Sequence, residues 1–136
     1  MTLEPDRLRE IAQSYTDAWC SQDPTRVAEH YASEGSLTIN AGVPAVGRAS
    51  ITEVIRSFMT ACPDMRVLMD NLLVLEGSIE YHWTLVGTNS GPDGTGNSVR
   101  ISGFEEWTIG DDGLIAGSLG NFDQAEYDRQ LEHGFQ

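Results

Sequence analysis

Apolar residues in the first half of the chain recur at intervals of three and four, the spacing that lines one face of an α-helix. Pro5 precedes the first such run and suits the first turn of a helix. The pattern predicts an amphipathic helix whose apolar face consists of Leu8, Ile11, Ala12, Tyr15, Ala18 and Trp19.

A second, shorter pattern follows directly. Asp23 and Pro24 are typical of an N-cap and a first helical position, and Val27 with Tyr31 forms an apolar (i, i+4) pair. We therefore predict a short helix that ends at residues 33–35, where Ser-Glu-Gly interrupts the pattern.

A third helical pattern follows a brief predicted strand at 36–40 and a connection rich in glycine and proline. Ser50 and Glu53 form a capping box at its start. Because the residue before a proline disfavours helix, this third helix should end before Pro63. Its apolar positions are Ile51, Val54, Ile55, Phe58 and Met59.

After Pro63 the apolar period changes toward two, and turn residues interrupt it, which is typical of antiparallel strands. We predict a closing helix over 123–132 and strands near 65–75, 78–88, 98–109 and 114–122. Because helices come first and strands follow, the expected fold class is α+β, with three N-terminal helices covering a curved antiparallel sheet. A small-molecule pocket is expected where helices and sheet diverge.

Length, charge and composition limit the domain organisation, the location and the classes of partner that we expect. The length of 136 residues suits a single domain over 1–136. A net charge of −13 repels phosphate backbones and anionic lipids, so neither nucleic acid nor a membrane is expected as a partner. Neither a membrane-spanning run nor a leader pattern is recognisable, which predicts a cytoplasmic location. Cys20 and Cys62 are expected to be reduced thiols.

Alternation along the predicted strands draws attention to two carboxylates. Glu105 and Trp107 share the more apolar face of the third predicted strand, and Asp123 ends a mostly uncharged row in the last one. A bulge would reverse either assignment. A buried unpaired carboxylate is costly, so Glu105 should be protonated or paired with an arginine such as Arg48 or Arg66. If no arginine reaches it, Glu105 is a functional candidate.

Short motifs are spread over nearly the whole chain. The helical half contains them at 15–23, 30–32, 47–48 and 62–67, and the strand half at 82–91, 113–115, 123 and 130–131. Together they resemble the SnoaL-like polyketide cyclases, a family within the nuclear-transport-factor-2-like superfamily.

The resemblance implies a cone-shaped α+β barrel with an apolar cavity and a homodimer formed through the sheet. It implies a small apolar or carbonyl-bearing substrate, no cofactor and no metal. Asp123 would be the acid/base of an aldol cyclisation, which requires a carboxylate partly removed from water. The candidate site residues are Asp123 and His82 as catalytic groups, with Tyr15, Trp19, Asn40, Glu105 and Trp107 as substrate-binding groups.

The chain departs from the cyclase pattern at Leu119, His82 and Asn89, where the family has tryptophan, arginine and histidine. Asp123 has a second interpretation, because an aspartate between a strand and a helix is often an N-cap. A carboxylate directed at the N–H groups of residues 125–126 and away from the cavity would favour that cap. The whole domain would then be a non-catalytic binding module.

Two related enzyme classes match the chain less well. Ketosteroid isomerases pair a helical tyrosine with a carboxylic acid, which Tyr15 and Glu105 resemble, but residues 39–40 lack the carboxylate base of that class. Limonene-type epoxide hydrolases need an arginine and a second aspartate where this chain has His82 and Thr84.

Overall fold

A computed structural model describes residues 3–135, which form four helices and six strands. The order of these elements confirms the predicted α+β fold class. They are α1 (Pro5–Cys20), α2 (Pro24–Ala28), β1 (Tyr31–Ile39), β2 (Ala45–Val46), α3 (Arg48–Ala61), β3 (Arg66–Leu75), β4 (Ser78–Thr88), β5 (Ser98–Ile109), β6 (Ile115–Phe122) and α4 (Gln124–His133).

The first two helices begin where the sequence predicts. Pro5 occupies the first turn of α1, and the predicted apolar face of that helix is buried. Asp23 caps α2, since its side chain accepts the Thr25 N–H at 3.0 Å. These local signals are confirmed because each depends only on residues within one helical turn.

The start of α3 differs from the prediction. The helix begins at Arg48, and its N-cap is Gly47 rather than Ser50. Gly47 has a φ of +89°, which glycine adopts readily, and its N–H donates to the Gly35 carbonyl at 2.8 Å. This turn carries the chain directly from the short strand β2 into the helix.

Tyr31 lies in a strand, not in the second helix as predicted. It begins β1 and pairs with Ile115 of β6. The predicted strand at 36–40 is therefore too short, and residues 33–35 continue β1 instead of ending a helix. A single apolar pair such as Val27 and Tyr31 is weak local evidence, and long-range strand pairing overrides it.

The six strands form one curved sheet in the order β2-β1-β6-β5-β4-β3. All neighbouring pairs are antiparallel, as predicted, except β1 and β6, which are parallel. The first long strand therefore joins the last one. Helix α1 packs against β3, and α4 packs against β5.

A bulge in β6 reverses the predicted orientation of its side chains. Thr108 pairs with Gly117 and Ile109 pairs with Ile115, which leaves Ala116 as the extra residue. Beyond this point the even-numbered residues face the helices. Leu119 therefore points outward and is 51% exposed, so the predicted row from Ile115 to Asp123 does not exist.

Cys20 and Cys62 are both free thiols, as predicted. Within residues 3–135, no helix has the length and apolar character needed to cross a membrane.

Candidate active site

The concave face of the sheet and the helices that cover it surround a small open cavity; the space between its lining atoms, together with its open mouth, amounts to about 610 Å³. Concave, mostly apolar sites of this kind are where proteins bind small molecules. Most of its wall is aliphatic or aromatic, and Glu105 is the carboxylate in it. The lining residues are Trp19, Leu37, Ile39, Val54, Phe58, Val67, Tyr81, Trp83, Leu85, Ile101, Glu105, Gly120, Phe122 and Tyr127.

Three donors converge on one oxygen of the Glu105 carboxyl group. The Tyr15 hydroxyl donates to Oε1 at 3.0 Å, the Trp107 indole N–H at 2.9 Å and the Ser118 hydroxyl at 2.7 Å. Gly120 pairs with Glu105 across the sheet and leaves space beside the carboxyl group, because it has no side chain. The carboxyl group is thus held firmly in one orientation at the cavity wall.

The second carboxyl oxygen, Oε2, has a different environment. The Tyr15 hydroxyl lies farther from Oε2, at 3.3 Å, than from Oε1. No arginine or histidine forms an ion pair with Glu105 within residues 3–135. Burial raises the pKa of Glu105 above its ordinary value, although the hydrogen bonds from Trp107, Ser118 and Tyr15 oppose that effect. Oε2 is therefore the oxygen better placed to gain or lose a proton.

Tyr15 and Tyr31 extend the hydrogen-bond network away from the cavity. Their hydroxyl oxygens lie 3.0 Å apart. Either hydroxyl can donate to the other, so the pair continues the hydrogen-bond network from Glu105 to Tyr31. Burial raises the pKa of both hydroxyls well above the ordinary value, so both remain protonated donors. Tyr81 stacks on Trp107 with ring centroids 4.7 Å apart, which fixes the indole that donates to Glu105.

Trp83 supplies a buried hydrogen-bond donor at the cavity wall. Its indole nitrogen is buried and is the one buried side-chain nitrogen or oxygen without a hydrogen-bond partner in the described part of the chain. Trp83 pairs with Gly103, and a Cβ atom at Gly103 would lie 2.8 Å from the Trp83 ring. Glycine at this position therefore lets the ring lie flat against the sheet. A buried unpaired donor beside a cavity is suited to an acceptor on a ligand.

Comparison with known sequences gives the family. Residues 12–118 match the SnoaL-like domain, which is well over half of the chain. The chain belongs to the SnoaL-like domain family. No curated protein sequence matches it.

Solved structures share the fold of this chain. A SnoaL-like polyketide cyclase from Jannaschia sp. CCS1 superposes with a TM-score of 0.82 at 12% identity, covering 98% of both chains. A protein with a ketosteroid isomerase-like fold from Catenulispora acidiphila DSM 44928, in complex with trimethylamine, gives a TM-score of 0.79 at 14% identity, covering 90% of this chain and 92% of its own. TerC, crystallised with polyporic acid, gives 0.74 at 14%, covering 93% and 98%. At these identities the similarity establishes the fold.

Asp123, the acid/base implied by the cyclase resemblance, has the contacts of a helix cap. Its Oδ1 accepts the Glu126 N–H at 3.1 Å, and its side chain is exposed to solvent. Phe122, the preceding residue, is the one that lines the cavity. This geometry favours the N-cap interpretation, because the carboxylate is directed at the first turn of α4 and is not desolvated.

His82 lies on the outer face of the sheet. Its neighbours Tyr81 and Trp83 face the cavity, so alternation directs His82 away from it. The imidazole bonds Glu80 at 3.1 Å and stacks on Phe104. The expectation that His82 assists chemistry in the cavity does not fit this position.

The other predicted binding residues fall into two groups. Tyr15, Trp19, Glu105 and Trp107 come together at the cavity or in its hydrogen-bond network. Asn40 instead ties two chain segments together, because its side-chain oxygen accepts the Phe122 N–H at 2.9 Å.

Sequence reasoning missed Ser118 and Tyr31 as partners of this network. The row predicted from Ile115 to Asp123 passes over Ser118, because the bulge at Ala116 leaves no clear sequence signal. Tyr31 was assigned to a helix. Trp83 could have been found from its alternation with Tyr81, but the sequence does not reveal that its N–H lacks a partner.

Proposed function

We propose that this protein is a small-molecule enzyme that moves a proton next to a carbonyl group, with Glu105 as the acid/base. The supporting observation is the Glu105 carboxyl group itself, buried without a cation in an otherwise apolar cavity. Aldol cyclisation and double-bond isomerisation both begin with this proton transfer. Cyclisation is the finer proposal that the SnoaL-like family favours.

The proposed step uses Glu105 and the Trp83 indole, both at the cavity wall. The indole N–H of Trp83 donates to the substrate carbonyl oxygen, while Oε2 of Glu105 takes a proton from the adjacent carbon. The resulting enolate either attacks a second carbonyl carbon, whose oxygen then takes the proton back from Glu105 and becomes a hydroxyl, or is reprotonated by Glu105 at another carbon. Trp83 lies opposite Gly103, and Gly103 is two residues from Glu105 on one face of β5. Two residues along a strand span about 7 Å. A small carbonyl compound is about this long, so it could contact both Trp83 and Glu105.

The raised pKa of Glu105 suits both halves of this step. A general acid/base works best when its pKa lies near the working pH, because it then accepts and returns a proton with little free-energy loss. The donors on Oε1 stabilise the carboxylate while it holds the negative charge, so the group remains usable as a base.

The competing function is a non-catalytic binding module. One observation favours it: the three hydrogen bonds to Oε1 are those of a carboxyl group that organises a core. In that case the cavity would hold a ligand without changing it.

Hydrogen–deuterium exchange at carbon separates the two functions. Aryl ketones and lactones are first ranked by thermal stabilisation, since a ligand at about 100 times its Kd stabilises by about 2.7 kcal/mol. The best binders are then incubated in D₂O, and deuterium incorporation next to the carbonyl is followed by proton NMR. We expect exchange above the protein-free rate, and a loss of at least about 100-fold in Glu105→Gln.

Glu106→Gln is the matched control, because Glu106 is the adjacent residue on the outer face of the same strand. It removes one charge without altering the cavity and should leave exchange unchanged. Ligands that stabilise the wild type but never exchange would exclude the acid/base proposal and support the binding module.

We also propose a cytoplasmic homodimer. The outer face of the sheet carries exposed leucines at 68, 73 and 119, which a second copy of the sheet would cover. Sedimentation equilibrium should then give twice the chain mass of 14.9 kDa. A monomer at all concentrations would contradict this.

A further inference from the structure

A serine and a histidine meet on the surface, away from the cavity. Ser14 of α1 and His30, which precedes β1, lie with Oγ and Nε2 2.8 Å apart. Both residues line a surface pocket of about 480 Å³. A hydroxyl within hydrogen-bond reach of an imidazole is the first requirement for an activated nucleophile.

The second requirement, a group that orients the base, is also present. His30 Nδ1 lies 2.9 Å from the Arg26 carbonyl oxygen. A carbonyl oxygen only accepts hydrogen bonds, so Nδ1 carries the proton and Nε2 of the neutral ring has a free lone pair. Ser14 therefore donates its hydroxyl proton toward Nε2. The Tyr15 ring packs edge-on against the imidazole at 5.7 Å and helps to hold its orientation.

The Ser14 hydroxyl differs in its bonding from comparable hydroxyls in the helices. Such groups commonly bond a carbonyl of the preceding turn. Thr16, Thr52 and Ser57 do so, donating to a carbonyl of their own helix at 2.6 to 2.8 Å. Ser14 instead bonds the imidazole, which leaves the hydroxyl directed at a base.

Arg7 lines the same pocket as this pair. A Cβ atom at Gly113, another lining residue, would lie 3.4 Å from Arg7 Nη2 and 3.6 Å from Ile11 Cδ1. The other terminal nitrogen of Arg7, Nη1, lies 3.5 Å from the Glu10 carboxylate in an exposed ion pair. Among the lining residues Arg7 is the arginine, and its permanent positive charge suits it to stabilise an oxygen that becomes negative next to Ser14.

We propose that Ser14, His30 and Arg7 form a second site that transfers acyl groups from small esters to water. Ser14 is its nucleophile, His30 its general base and Arg7 its oxyanion donor. This site is independent of Glu105 and of the function proposed for the cavity.

The reaction balances without any further reagent. His30 Nε2 takes the Ser14 proton as Oγ bonds to the ester carbonyl carbon. The C–O bond to the leaving group then breaks, and the imidazolium returns the proton to the departing alcohol. Water, deprotonated by His30, attacks the acyl-serine and releases the carboxylic acid with Ser14 restored.

Charge defines the substrate class. Three carboxylates, Glu10, Glu29 and Asp112, line the pocket against the single arginine, Arg7. This excess of negative charge favours esters that carry a cationic group over anionic ones. The preference should weaken as salt is added, because the carboxylates are at the surface.

Covalent capture with a fluorophosphonate tests the nucleophile. The hydroxyl oxygen displaces fluoride from phosphorus, and peptide mass spectrometry locates the adduct. We expect the adduct on Ser14, none in Ser14→Ala, and about 100-fold slower labelling in His30→Gln. Labelling of Ser14 that is as fast in His30→Gln, or labelling that avoids Ser14, would overturn the proposal.

Ester hydrolysis tests the substrate class with the same variants. Acetylcholine should be hydrolysed faster than its uncharged isostere 3,3-dimethylbutyl acetate, both followed by release of acid, and Ser14→Ala should abolish the difference. Ser57→Ala is the matched control, since Ser57 is a helical serine without a histidine partner. Glu105→Gln should retain both labelling and hydrolysis, so the failure of either proposal is visible separately. Equal hydrolysis by Ser14→Ala and the wild type would exclude the site, provided that both show the same thermal midpoint.

Discussion

Replacing Glu105 by glutamine should make the protein's stability less dependent on pH. Gln keeps an oxygen that accepts the hydrogen bonds of Tyr15, Trp107 and Ser118, and it has nearly the same volume. The substitution removes only the ability to ionise. By contrast, Glu105→Ala would leave the three donors unpaired at about 1 to 3 kcal/mol each.

The direction in which stability changes with pH follows from the raised pKa of Glu105 in the folded state. Well below about pH 4.3, the ordinary value for glutamate, the carboxyl group is protonated in both the folded and unfolded chain. As the pH rises, the unfolded chain ionises first, while the folded chain retains its proton. The wild type therefore loses stability until the pH passes the folded pKa, by about 1.4 kcal/mol for each pH unit separating the two pKa values.

Urea denaturation of both proteins from about pH 4 to about pH 8 measures this effect. The free energy of unfolding of Glu105→Gln, minus that of the wild type, should increase with pH, because all other groups cancel in the difference. Glu106→Gln retains the buried carboxyl group and so should lack this increase. A difference that is flat, or that falls with pH, would show that Glu105 does not have a raised pKa and would remove its physical qualification as an acid/base.

Three further substitutions test the roles of individual residues. Asp123→Ala should lower the unfolding free energy by about 1 kcal/mol in urea denaturation, because α4 loses its cap. Hydrogen–deuterium exchange next to the substrate carbonyl should be unchanged. Lost exchange with unchanged stability would restore Asp123 as a catalytic residue. Gly120→Val should abolish the increase in thermal midpoint that ketones cause. The added Cβ would lie 3.9 Å from Glu105 Cγ, and the two methyl groups beyond it would enter the cavity. A retained increase would mean that ketones bind elsewhere. Trp83→Phe should weaken ketone binding about fivefold, the loss of one hydrogen bond of about 1 kcal/mol, measured by titration calorimetry. Unchanged affinity would remove the indole N–H from the site.

The amino-acid sequence alone determines which side chains are buried wherever apolar residues repeat at one regular interval. The face of α1 was predicted correctly because its burial repeats every three to four residues. Alternation along the sequence predicts that Glu105 and Trp107 face the apolar side of β5. The prediction is correct because no bulge interrupts the pairing of that strand with β4. Alternation then survives over the full strand, and a carboxylate on the apolar face is visible in the sequence.

Tertiary structure decided which groups join Glu105. The bulge at Ala116 moves Ser118 inward, and the pairing of β1 with β6 brings in Tyr31. Neither leaves a local signal, because an extra residue in a strand and a partner far along the chain are both fixed by the assembled sheet. The same bulge ends the row that had connected Asp123 to the buried face. Sequence thus determined which carboxylate is buried, whereas the folded sheet determined its partners and left Asp123 at the start of a helix.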